Sequence, residues 1–102
     1  MAQKTRIKIQ KDRLARFCEA NHINRLSLYG SVLRDDFGQD SDIDMLVEFE
    51  PGSKVGLFKM ARIENELSEI LGRKVDLRTP AELSRYFRQD VLESARVEYA
   101  KR

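Results

Sequence analysis

Residues 28–52 read LYGSVLRDDFGQDSDIDMLVEFEPG, and the fold turns on how this stretch is parsed. From Asp42 to Glu50, Ile43, Met45, Val47 and Phe49 alternate with Asp42, Asp44, Leu46, Glu48 and Glu50. A period of two predicts a strand with one apolar face, ended by Pro51-Gly52-Ser53. Upstream, Arg25 to Tyr29 also alternates, with Leu26 and Leu28 inward, and predicts a short strand that stops at Gly30. A brief helix is expected over Ser31 to Asp36, and Phe37 to Ser41 is turn-rich loop.

Working outward, Lys11 to Ala20 reads as a helix with Leu14, Phe17 and Cys18 on one face. Leu57 to Leu71 is a longer amphipathic helix. Its expected stripe is Leu57, Met60, Ile63, Leu67, Ile70 and Leu71, and Gly72 caps its end. Lys74 to Arg78 predicts a third strand, with Val75 and Leu77 inward and Asp76 on the opposite face. Thr79-Pro80-Ala81-Glu82 is a capping box with proline at the first helical position, and the rest, to about Ala100, is expected to be helical in one or two pieces. The fifteen-residue helical segment between the second and third strands is long enough for a crossover, so the expected architecture is α+β, a sheet with helices packed on it.

Composition sets outer bounds. The 102 residues suit a single domain spanning 1–102, 41% of them apolar and 35% charged. Net charge is only +2, but it is unevenly spread. Residues 1–28 hold seven Lys and Arg against two acids, residues 29–50 one Arg against seven acids, and residues 51–102 eleven against eight. An acidic centre in a basic chain is either a solvated loop or a site that collects cations. The near-neutral total disfavours nucleic acid as a partner. Cys18 is the single cysteine and lies on an apolar stripe, which suits a buried thiol in a reducing compartment. One histidine, His22, leaves no zinc site that needs two. The first ten residues do not resemble a signal peptide and no apolar run approaches a membrane span, so the expectation is a cytoplasmic, soluble chain with no membrane partner.

The chemistry-bearing residues sit at the ends of the strands. Asp42 and Asp44, two apart on a strand, share a face at roughly 7 Å spacing. If the third strand lies beside theirs, Asp76 joins them on one surface. Three crowded carboxylates repel unless cations neutralise them, and an all-oxygen ligand set favours Mg²⁺ or Mn²⁺ over zinc or copper. Two such ions roughly 4 Å apart are the arrangement of phosphoryl transfer. Gly30 allows backbone to approach a phosphate, Ser31 adds a hydroxyl and an N–H at a helix start, and Arg34 one turn on adds a cationic fork. Taken singly, each acid is a solvated surface charge and Gly30-Ser31 an ordinary capped turn.

The spacing joins them. Gly30-Ser31, ten residues, Asp42-x-Asp44, and a third Asp on a later strand resemble the nucleotidyltransferase superfamily of DNA polymerase β and kanamycin nucleotidyltransferase. Residues 28–52 and Leu71-Gly-Arg-Lys-Val-Asp-Leu-Arg-Thr-Pro80 look like its minimal, MNT-type branch, a likeness running from about Leu26 to Tyr99. The resemblance implies a nucleotidyltransferase fold with a small mixed three-stranded sheet flanked by about four helices. It implies that Gly30 and Ser31, with Arg34, hold the phosphates of ATP, and that Asp42, Asp44 and Asp76 are catalytic ligands of Mg²⁺, two ions in all. Asp76 would also help to deprotonate the acceptor. Members of this size are often antitoxins paired with a HEPN-type toxin, and some transfer AMP to a tyrosine of that partner. The alternative function is a non-catalytic antitoxin that neutralises its partner by occlusion.

Overall fold

The computed structural model describes residues 9–34, 38 and 40–101. Seven main elements follow one another: α1 (Lys11–Ala20), β1 (Ile23–Tyr29), β2 (Ile43–Phe49), α2 (Leu57–Leu71), β3 (Val75–Arg78), α3 (Arg85–Ser94) and β4 (Arg96–Ala100). Short 3-10 turns occupy Gly30–Leu33 and Pro80–Glu82. The class is α+β, as expected.

The sheet has four strands in the order β3-β2-β1-β4. β2 pairs antiparallel with β1 and parallel with β3, so α2 is the crossover that its length suggested. Two expectations are corrected here. The sheet has four strands rather than three, and the described residues hold three α-helices rather than about four. The helix count falls because the brief helix expected after Gly30 is a 3-10 turn over Gly30–Leu33. The extra strand has another source. Residues from Arg96 onward, expected to continue a helix, pair antiparallel with β1 instead. Without β4 that side of β1 would carry unpaired N–H and C=O groups. Glu98 fastens the new edge, reaching Lys11 on α1 at 2.6 Å and Arg96 at 3.4 Å.

One face of the sheet carries the core. Leu26 and Leu28 of β1, Ile43, Met45 and Val47 of β2, and Val75 and Leu77 of β3 are buried with Leu14 and Cys18 of α1 and Ile63, Leu67 and Leu71 of α2. Phe17, Phe49, Met60 and Ile70 pack at its margin. Burial pushes the Cys18 thiol up to about 12, with Glu19 adding to it, so the sulfur is packing material rather than a nucleophile. Gly72 ends α2 in the left-handed conformation. Leu57 departs from its expected place on the α2 stripe. It is 88% exposed and Phe58 is 95% exposed, because the first turn of α2 reaches past the core it would need to bury against. Asp35, Asp36, Phe37 and Gln39 lie outside the described residues, so the brief helix is observed only over Gly30–Leu33.

Candidate active site

The face opposite the core carries the acids. Tyr29 is the Cα partner of Asp44 across β1 and β2, and Asp44 is the partner of Asp76 across β2 and β3. Three side chains from adjacent strands therefore stand in one row. Neighbouring strands lie only about 4.8 Å apart, so Asp44 and Asp76 are close like charges. Asp42 precedes the first residue of β2 and is exposed. Asp44 is half-buried, and its pKa is raised above the ordinary carboxylate value, first by burial and then by the charge of Asp76, with Asp42 adding to it. Arg78 and Arg34 pull in the opposite direction.

Helix α2 sets the position of Asp76. The Val75 N–H donates to Ser68 Oγ at 2.9 Å and the Leu77 N–H to Glu64 Oε2 at 2.8 Å. The edge strand is thus gripped on both sides of the aspartate, at backbone donors that would otherwise face outward. The approach to Asp42 is held by Arg73, whose Nη2 donates to Gly38 O at 2.7 Å and Ser41 O at 2.8 Å. Beyond β3, the Thr79 N–H and hydroxyl both reach Glu82 Oε1, at 2.9 and 3.1 Å, so the capping box forms, on a single 3-10 turn.

Gly30 closes the other side of the row. Its φ of +76° suits glycine alone, and a Cβ there would stand 2.6 Å from Asp44 Oδ2. Any side chain at position 30 would therefore strain the turn and push the carboxylate aside. Ser31 is half-buried beside it. The segment that follows is a four-residue 3-10 turn, too short for a helix dipole. What it offers an anion is local, namely the glycine's open backbone and the Ser31 hydroxyl and N–H.

All three aspartates and Gly30-Ser31 thus lie at one surface, but the carboxylates are not gathered into a cage. Asp42 approaches Lys74 at 4.0 Å, and Asp76 accepts from Arg78 Nη2 at 3.3 Å. Among the described residues no three His, Cys, Asp or Glu side chains stand close enough to hold an ion. Arg34 is exposed and within electrostatic reach of Asp44. Two residues of this surface escaped the sequence reading. Arg78 was legible in principle, two residues past Asp76 on a strand and so on its face. Tyr29 was legible too, since it alternates with the inward Leu28. Its hydroxyl is held above its ordinary pKa by burial and then by Asp44, so the phenol stays neutral beside the acids.

The sequence profile of the nucleotidyltransferase domain family matches residues 11–98, and the chain belongs to this family. It is 42% identical over 57 residues, 56% of this chain and 59% of the other, to a provisionally named protein adenylyltransferase of Methanocaldococcus jannaschii. It spans about 60% of the length of the curated relatives it matches. A solved structure provisionally named a minimal nucleotidyltransferase is 33% identical, with a TM-score of 0.68 over 83% of this chain and 85% of that one. The complex of the tri-AMPylated Shewanella oneidensis HEPN toxin with MNT antitoxin contains a chain of the same fold. That chain is 18% identical, with a TM-score of 0.62 over 89% of this chain and 70% of that one. Among the described residues, no helix is long and apolar enough to cross a membrane.

Proposed function

We propose that this chain transfers the nucleoside monophosphate of ATP to a hydroxyl of a protein partner, and that the partner is a HEPN-type toxin silenced by the modification. The observation that carries this reading is the row of Asp44 and Asp76 in register on adjacent strands, with Gly30 pressed against Asp44. Gly30 and Ser31 take the phosphates, where a bare backbone permits close approach, and Arg34 adds positive charge beside them. Asp42 and Asp44, with Asp76, are the ligands that would hold Mg²⁺, and their all-oxygen chemistry suits that ion. Magnesium is commonly bound by one or two carboxylates together with substrate phosphates rather than by a closed protein cage. When bound, magnesium supplies Lewis-acid charge to the phosphoryl group. Asp76 lies across Asp44 from Gly30-Ser31 and so faces an incoming acceptor. There it accepts the proton as the hydroxyl oxygen bonds to the α-phosphorus and the bond to pyrophosphate breaks.

The acceptor class rests on relatives. The curated relative is named for protein adenylylation, and a neighbour by fold was solved with its AMPylated toxin. A second reading, silencing by occlusion, draws on the exposed Leu57, Phe58, Tyr86 and Phe87, large apolar side chains of a kind that protein contacts cover. Intact mass spectrometry of the co-purified partner after incubation with ATP and Mg²⁺ separates the two. Transfer adds the mass of one or more nucleoside monophosphates to the partner. An unmodified partner that is nonetheless silenced contradicts the enzymatic reading.

A further inference from the structure

Arg78 neighbours the candidate carboxylates without belonging to the set that would hold a metal. It lies two residues beyond Asp76 on the same face of β3, is exposed, and meets Asp76 through one nitrogen at 3.3 Å. Charge-assisted bonds of good geometry run nearer 2.7–2.9 Å, so this contact is loose. A guanidinium has five N–H donors, and among the described residues only the one on Asp76 is engaged, which leaves most of those on Arg78 available to an anion. Its charge is also felt at Asp44 and Tyr29, so it counterbalances the whole row rather than one carboxylate.

We propose that Arg78 is an exchangeable counter-ion and a positioning residue for nucleotide. In the protein free of nucleotide and cation it compensates the Asp44–Asp76 pair. When nucleotide arrives with its divalent cation, Arg78 yields Asp76 and moves its donors to a phosphate oxygen. This rests on the nucleotidyltransferase reading given above. A bare cation must compete with the guanidinium for Asp76, whereas a nucleotide–cation complex brings the guanidinium a replacement anion. Arg78 therefore couples the two ligands, each favouring the other.

Calorimetric titration with Mn²⁺, alone and in the presence of a non-hydrolysable ATP analogue, tests this on the wild type, Arg78→Gln and Arg78→Lys. Arg78 is exposed, so the variants fold, and melting curves verify it. Arg78→Gln is expected to bind Mn²⁺ alone about threefold tighter or more, as befits loss of one partly screened competing charge. The gain in Mn²⁺ affinity produced by the analogue should shrink by a similar factor, and Arg78→Lys should restore both values. A purely structural arginine would alter neither. Unchanged or weaker Mn²⁺ binding by Arg78→Gln, or an undiminished gain, overturns the role of Arg78 while the nucleotidyltransferase reading stands. No Mn²⁺-dependent binding of the analogue by wild type overturns both.

Discussion

Asp76→Ala is expected to bind ATP and its partner yet to transfer nucleotide at least about a hundredfold more slowly, the usual loss when a positioned general base is removed. The backbone around Asp76 is held by Ser68 and Glu64 of α2, not by its own side chain. Among the described residues the Asp76 side chain makes one hydrogen bond, the loose contact with Arg78, so the fold survives the change. The phosphate turn and the Asp42–Asp44 pair are untouched. Because proton acceptance matters only as the bond forms, the loss falls on transfer rather than on ground-state binding. A silencing assay then discriminates. If modification silences the partner, Asp76→Ala leaves the partner unmodified and active. Full silencing by this folded, transfer-dead variant would contradict catalysis as the mechanism and leave the fold assignment standing.

Asp44→Asn is expected to abolish transfer by about a hundredfold to a thousandfold or more, and to make the cation-free protein more stable. Asp44 is half-buried beside Asp76, and both burial and that charge raise its pKa in the folded state. A raised carboxylate pKa means that the native state binds the proton more tightly than the unfolded chain. Ionisation of Asp44 therefore costs native stability, fully so above the raised value. The advantage of asparagine should be complete once pH is above the raised value. It should fade as pH falls through the raised value and vanish below the ordinary carboxylate value, where Asp44 is protonated in both states. Mg²⁺ should raise the melting temperature of wild type by mass action on the native state and leave Asp44→Asn nearly unmoved. Thermal melts in chelator and in Mg²⁺ across this pH range check the prediction. An Asp44→Asn protein less stable than wild type in chelator at neutral pH would show that the acids are not a repelling cluster.

The candidate site was more legible than the whole fold. Asp42, Asp44 and Asp76 could be assigned to one face because strand alternation is local, and their pairing followed from a helix of crossover length between β2 and β3. β4 was not legible in the same way. Val91, Leu92, Ala95 and Tyr99 suit helical spacing as well as Val97 and Tyr99 suit a strand, so five residues cannot decide by pattern. The free side of β1 and the pairing of Glu98 with Lys11 decide, and both are contacts between distant parts of the chain. Leu57 failed for a related reason, since periodicity gives the direction of a side chain but not where the surface beneath it ends. The partners of the acids were likewise missed. Lys74 and Arg78 enter the sequence reading only as the bounds of the third strand. Arg78 shares the face of Asp76 by alternation, whereas Lys74 meets Asp42 only through the register of β3 against β2.

The central claim is that Gly30-Ser31 and the paired aspartates form a single site that holds a nucleoside triphosphate through a divalent cation. Calorimetric titration of ATP into the protein, with Mg²⁺ and again with chelator, tests it most directly, repeated on the Asp42→Asn, Asp44→Asn double variant. The account predicts ATP binding by wild type in Mg²⁺, and its loss both in chelator and in the double variant. Equal affinity with and without Mg²⁺, or affinity unaffected by replacing both aspartates, would contradict it.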